Sequence, residues 1–238
     1  MTIKGLLFDK DGTLLDYHQT WAPLNRAAAM HVAKGDVELA NRMLDHAGQD
    51  PVTDRVRPGS HLAAGTPVEI AAAFEHIHPN HGLEMLPQLI DATFHQQLSA
   101  QTTAVAGLND VIDSFELRGI RMGVVTADSE KGAIISLTPF NILHQFDYIC
   151  GYDSGPRPKP DPAPVLEFCR QTGLKVTEIA VIGDNLHDLS MGKDAGAGLL
   201  VGVLTGTSGH DELSTLAHVV LDSINDLEAF LIERRLIS

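Results

Sequence analysis

Five polar side chains in this sequence have the types and spacing needed to move a phosphoryl group. Asp9 and Asp11 stand two apart in Phe8-Asp9-Lys10-Asp11-Gly12-Thr13-Leu14. In extended backbone such a pair faces one side, so one carboxylate can attack while the other manages a proton. The Thr126 hydroxyl and the Lys159 ammonium suit the outer oxygens of a phosphoryl group as its charge redistributes. Ala127, next to Thr126, joins that phosphate-binding set. A hard divalent cation takes carboxylate and carbonyl oxygens, which Asp9, Asp184 and a backbone carbonyl can supply. Its charge would offset the repulsion between an anionic nucleophile and an anionic phosphate. Gly12 permits a sharp turn that would bring its N–H towards the phosphate.

These residues matter only if the chain brings them together, and the apolar pattern says how it would. Ile3–Phe8, Ile120–Val125, Phe146–Cys150, Ile179–Ile182 and Leu199–Val203 read as buried strands, with His218–Leu221 as an edge strand. Helical stretches alternate with them at Glu130–Leu137, Pro162–Thr172, Leu186–Ala195 and Ile224–Leu231. Such alternation implies a parallel sheet covered on both faces, and ligands bind such sheets beyond the carboxyl ends of the strands. Asp9, Thr126 and Asp184 directly follow predicted strands, and Lys159 lies between a strand and a helix. Four strand ends therefore converge on one edge.

Between Tyr17 and about Ala100 the strand-like runs vanish. Leu24–Ala33, Val37–Ala47, Pro67–His76 and Leu83–Leu98 read as helices, broken at Asp50-Pro51, Arg57-Pro58-Gly59 and Pro79-Asn80. The expected fold class is α/β, a doubly wound parallel sheet with a Rossmann-like core and an inserted all-helical cap. The core takes residues 1–15 and 101–238, and the cap residues 16–100.

Composition narrows the partners. The 238 residues are 44% hydrophobic and 20% charged, ordinary for a globular chain, and the net charge is −14. An acidic surface repels nucleic acid and anionic membrane but leaves room for a small anionic substrate in a cationic cleft. Cys150 and Cys169 read as reduced core residues. No apolar run reaches membrane-spanning length, and the acidic motif starts too early for a targeting peptide, so the expected location is the cytoplasm. A monomer or a homodimer is expected.

With these residues in hand, the chain resembles the haloacid dehalogenase superfamily of aspartate-nucleophile phosphatases. Phe8 to Leu14 is similar to its first signature, Thr126 at a strand end to the second, and Lys159 before Pro160 to the third. Gly183-Asp184-Asn185-Leu186-His187-Asp188, followed by Gly192 and Ala195-Gly196, is similar to the fourth. The resemblance spans essentially the whole chain. It implies Asp9 as nucleophile and magnesium ligand, and Asp11 as general acid and then base, its carbonyl also on the metal. Thr126 and Lys159 would bind phosphoryl oxygens, and Asp184 would complete the metal ligands. Asp188 would support the metal through water or a hydrogen bond. The helical insert is similar to the cap of the phosphoglycolate phosphatase-like branch, which makes 2-phosphoglycolate the expected substrate. Arg55 and Arg57 are the cap cations placed to read its carboxylate, or else a solvated loop pair.

Other readings of the same residues stay open. Asp9 and Asp11 before a glycine also suit a plain turn, Thr126 a helix cap, Lys159 a solvated loop and Asp188 a first-turn acid. His76, His78 and His81 invite a transition metal, but proline and asparagine among them suggest a helix-ending loop. Gly192 to Gly198 resembles a dinucleotide fingerprint yet follows a helix, so it fits helix termination and close packing. Lys10 should point away from the phosphate, as a structural or cap-facing residue. In function, a sugar-phosphate mutase would share the core, and a haloacid dehalogenase would not need Asp11. A phosphonate hydrolase would need a cap lysine, for which only Lys34 lies there. A non-catalytic binding module would keep the fold without the chemistry.

Overall fold

The computed structural model describes residues 2–79 and 85–237. In chain order its elements are β1 (Gly5–Phe8), α1 (Tyr17–Val32), α2 (Val37–Ala47), α3 (His61–Ala64), α4 (Pro67–Ile77), α5 (Leu86–Gln101) and α6 (Leu108–Leu117). There follow β2 (Arg121–Val125), α7 (Glu130–Leu137), β3 (Tyr148–Cys150), α8 (Ala163–Thr172), β4 (Ile179–Gly183) and α9 (Leu186–Ala195). The chain ends with β5 (Leu199–Val203), α10 (His210–Leu213), β6 (Val219–Leu221) and α11 (Leu227–Glu233). The six strands form one sheet in the order β3-β2-β1-β4-β5-β6, every neighbouring pair parallel. The doubly wound α/β fold with an inserted helical block is what the sequence pattern called for.

The sheet is flanked by two apolar clusters. One, with Leu6, Phe8, Ile112, Phe115, Val124 and Ile182, lies under α6 and α11. The other, with Leu7, Val125, Phe168, Val181 and Leu189, lies under α8 and α9. Adjacent residues Leu6 and Leu7 thus face opposite layers, as the two-residue period of a strand requires. The helices α1 to α5 have their own core, built on Trp21, Leu24, Met43, Leu44, Phe74, Ile90 and Phe94. This block joins the sheet domain through two adjacent chain crossings. The Asp16 N–H donates to the Thr103 carbonyl at 2.8 Å, and Leu15 bridges Ala104 antiparallel.

Three local differences from the sequence reading have simple causes. Helix α1 starts at Tyr17 rather than Leu24, because Asp16 caps it by accepting from the Gln19 N–H at 2.9 Å. It runs through Pro23, which supplies no N–H to the helical ladder. Residues 108–117 carry no assigned element in the sequence reading. They form α6 on the apolar positions Leu108, Val111, Ile112 and Phe115, the i, i+3, i+4, i+7 spacing of an amphipathic helix. The short α3 has too few residues for a periodic signal. The predicted start of the Leu83–Leu98 helix and His81 lie outside the described residues.

Candidate active site

Strand register sets the site. Phe8 pairs with Val124 on one side and with Ile182 on the other, so β1 ends one residue short of β2 and β4. Asp9, Thr126 and Asp184 therefore leave the sheet at one edge, with β1 in the middle. They line a cleft together with Asp11, Ala127, Lys159 and Asp188 on the sheet side. The helical block closes the other side with Tyr17, Trp21, Leu62, Pro67, Ile70 and Phe94.

Within the cleft Lys159 is clamped. Its Nζ donates to Asp9 Oδ1 and to Asp188 Oδ1, each at 2.6 Å. Burial opposes the ammonium, but Asp188 and Asp9 outweigh it and raise its pKa above the ordinary lysine value. The other Asp188 oxygen accepts from the Asn185 N–H at 3.1 Å, a capping box that starts α9. Both Asp188 oxygens are thus engaged, one aiming Lys159 and one holding the helix.

Carboxylates outnumber cations here. Asp9, Asp184 and Asp188 each offer an oxygen within 4.8 Å of the others. Burial pushes Asp9 up to about 7; Lys159 pulls the other way, and Asp188 and Asp11 add to the rise. Asp184 lies well above the ordinary range, through burial and then through Asp9 and Asp188. Asp9 Oδ2 is buried without a hydrogen-bond partner. An orphaned carboxylate oxygen beside two more carboxylates, all hard donors, fits a divalent cation such as magnesium.

Glycines make the crowding possible. Gly12 has φ +88°, and a Cβ there would lie 2.7 Å from Asp184 Cγ. The Gly12 N–H donates to the Leu15 carbonyl at 2.7 Å. That corrects its expected part in phosphate binding: its N–H is spent inside the loop, and its contribution is clearance for Asp184. Gly206 approaches from the loop after β5, where a Cβ would fall 1.8 Å from Asp184 Oδ2.

That loop went unnoticed in the sequence. Thr207 donates its N–H to Asp184 Oδ2 at 2.7 Å and its hydroxyl to the same oxygen at 3.3 Å. Thr205 donates its hydroxyl to the Gly12 carbonyl at 2.6 Å. A Thr-Gly-Thr stretch one residue beyond a strand of a parallel sheet was the available signal.

The remaining residues divide clearly. Thr126 Oγ1 accepts from the Asp128 N–H at 3.1 Å and lies 3.4 Å from Asp11 Oδ2. Lys10 is fully buried, with its Nζ 2.9 Å from Asp11 Oδ2 and 3.1 Å from Asp128 Oδ2. Arg55 and Arg57 are exposed and do not line the cleft. Arg57 instead pairs with Asp45 at 2.9 Å, because both sit on the outer surface of the helical block. Arg26 is held by Asn41, the Pro51 carbonyl and Asp54. His76 stacks on His46 at 4.7 Å, and the metal-capable clusters among the described residues include neither His76 nor His78. Gly192 packs against Val181 and Leu200, and Gly196 ends α9.

A family model for haloacid dehalogenase-like hydrolases matches residues 3–196. The chain belongs to that family. Two curated relatives of this haloacid dehalogenase-like hydrolase are phosphatases. An N-acetylmuramic acid 6-phosphate phosphatase of Pseudomonas aeruginosa is 28% identical over 82% of this chain and 80% of its own. A phosphoglycolate phosphatase of Chromobacterium violaceum is 27% identical over 94% of this chain and 95% of its own. The crystal structure of a predicted phosphoglycolate phosphatase from Haemophilus somnus superposes with TM-score 0.73 at 20% identity. It covers 97% of this chain and 98% of that one, a likeness of fold. The enzyme is a phosphoric monoester hydrolase. No helix among the described residues is long and apolar enough to cross a membrane.

Proposed function

We propose that this enzyme is a magnesium-dependent phosphatase that passes a phosphoryl group from a small metabolite to Asp9 and then to water. The observation that carries the reading is Asp9 itself. It ends the central strand with one oxygen on Lys159 at 2.6 Å and the other buried without a partner. In the first step that carboxylate attacks phosphorus, and the bond from phosphorus to the ester oxygen breaks. The electron pair stays on the ester oxygen, which takes a proton from the Asp11 carboxyl and departs as an alcohol. In the second step Asp11 accepts a proton from water as the water oxygen attacks phosphorus. The Asp9–phosphorus bond then breaks and returns the carboxylate. Lys159 and Thr126 hold the outer phosphoryl oxygens in both steps. Asp9, Asp184 and the Asp11 carbonyl would hold magnesium, whose charge when bound offsets the repulsion between nucleophile and phosphate. The helical block of residues 16–100 acts as a cap on the core of residues 1–15 and 101–238, excluding bulk water from the first step.

2-Phosphoglycolate is the first candidate substrate, from the resemblance and from the relatives named above. The cleft wall favours a second reading. Its cap side presents Tyr17, Trp21, Leu62, Pro67, Ile70 and Phe94, and among the described lining residues Lys159 is the one lysine and there is no arginine. An uncharged leaving group with an apolar face matches that wall better than a carboxylate. The carboxylate would be desolvated there with a neutral donor such as the unpartnered Trp21 Nε1 but with no lysine or arginine from the cap side. A panel of phosphorylated metabolites with magnesium tests both. A kcat/KM for 2-phosphoglycolate above that for every neutral sugar or alkyl phosphate supports the first reading, and the reverse order the second. Phosphoryl return from a bisphosphate would make it a mutase, and no turnover of any phosphoester would leave a binding module.

A further inference from the structure

Lys10 is among the largest side chains completely sealed from solvent, at 0% exposure. A buried ammonium is tolerated only when paired, and this one has three neighbours from three parts of the chain. Asp11 approaches with Oδ1 at 3.0 Å and Oδ2 at 2.9 Å. Asp128, from the loop after β2, contributes Oδ2 at 3.1 Å. The third neighbour is Trp21 of the helical block, whose ring centroid lies 5.3 Å from Nζ, within cation–π range. Trp21 in turn packs edge-on against Phe94, with centroids 5.0 Å apart. Asp11 is held more weakly elsewhere, since Thr126 Oγ1 lies 3.4 Å away.

We propose that Lys10 is a positioning residue. It fixes the Asp11 carboxyl for proton transfer to the leaving oxygen, and Trp21 seats it from the cap. This inference rests on Asp11 being the general acid. A lysine that merely neutralised Asp128 would have no reason to grip both Asp11 oxygens beneath a cap aromatic ring.

The discriminating measurement is kcat/KM on two substrates, which reports the steps up to departure of the leaving group. One substrate is the best alkyl phosphate of the panel, whose alkoxide needs a proton. The other is p-nitrophenyl phosphate, whose phenolate leaves without one. Asp11→Asn should lose about 10²- to 10⁴-fold on the alkyl phosphate and far less on the aryl one. Lys10→Met should follow the same pattern with roughly a tenfold loss on the alkyl phosphate, and Trp21→Leu with about a threefold loss. Because Lys10→Met strands a buried Asp128, the pair Lys10→Met/Asp128→Asn carries the same expectation, with folding checked by thermal unfolding. The proposal is overturned if the folded Lys10 variants lose equally on both substrates, or on neither, while Asp11→Asn shows the pattern. If Asp11→Asn lacks the pattern, the acid assignment falls and takes this inference with it.

Discussion

The two walls of the cleft are built from opposite materials. The sheet side gathers Asp9, Asp11, Asp184, Asp188 and Lys159, whereas the cap side offers mainly aromatic and aliphatic surface. Charged groups sit where strand register fixes them: Asp9 donates its N–H to the Ile182 carbonyl at 2.8 Å, at the end of the central strand pair. The apolar groups sit on helices joined to the core by two chain crossings. Under the proposed mechanism, chemistry that tolerates little displacement falls to the strand ends, and recognition of the leaving group's shape to the helical block. The difference predicts that loss of the nucleophile acts on every substrate alike. Loss of the proton donor Asp11, or of the residues that seat it, should act according to the leaving group's need for a proton. Substitutions elsewhere on the cap wall should act on substrates whose leaving group reaches it.

The sharpest way to break this division is Asp9→Asn. An amide cannot serve as the nucleophile, so turnover of every phosphoester should fall by more than about 10³-fold with the fold retained. Turnover within tenfold of wild type would remove Asp9 from that role. On the cap side Leu62→Ala removes apolar surface from the wall. It should lower kcat/KM for the best metabolite by roughly tenfold, about 1.5 kcal/mol of lost burial, and leave acetyl phosphate unchanged. Equal losses on both would mean that the cap wall serves folding or closure.

A smaller effect sharpens the electrostatic side. Burial raises Asp9 from 3.8 to about 7 and raises Asp184 in the same direction. A carboxylate raised in the fold binds protons more tightly folded than unfolded, so its contribution to stability is present at low pH and is lost as pH rises towards 7. Magnesium bound as proposed to the ionised carboxylates would restore what is lost. Its thermal stabilisation should therefore grow with pH, from under about 1 °C at pH 5 to about 3 °C or more at pH 8. A magnesium shift that is flat or falls with pH would contradict this. The smallest effect is expected for Arg55→Gln with Arg57→Gln, both on the outer face of the cap: less than about twofold in kcat/KM on any substrate. A loss confined to a carboxylate-bearing substrate would return them to the reading role that their spacing suggested.

The distribution of what was legible follows the same division. The sheet edge could be read because each strand is a short apolar run that stops at a polar residue: Phe8 at Asp9, Val125 at Thr126, Gly183 at Asp184. Lys159 was legible through Pro160 and its place between a strand and a helix. What escaped depends on contacts between distant segments. Thr207 and Gly206 serve Asp184 across more than twenty residues of chain, and neither carries a charge that would mark it. Lys10 alternates with two carboxylates, which suggested a structural or cap-facing residue; it does meet Trp21 of the helical block, but its grip on Asp11 was not foreseen. The cap cations misled for a related reason. Arg57 is conspicuous beside Pro58 and Gly59, but a local partner, Asp45, holds it on the surface. The apolar cap wall looked like ordinary helix core, since periodicity cannot tell a residue that lines a cleft from one that fills a core.

The measurement that bears most directly on the passage through Asp9 is the stereochemical course at phosphorus. The enzyme would turn over, with magnesium, a phosphorothioate monoester made chiral at phosphorus with two oxygen isotopes, in water carrying the third, so that the thiophosphate released is itself chiral. Two successive in-line displacements, first by Asp9 and then by water, predict retention of configuration. Inversion would mean that water attacks the substrate directly, and Asp9 would then be no more than a ligand.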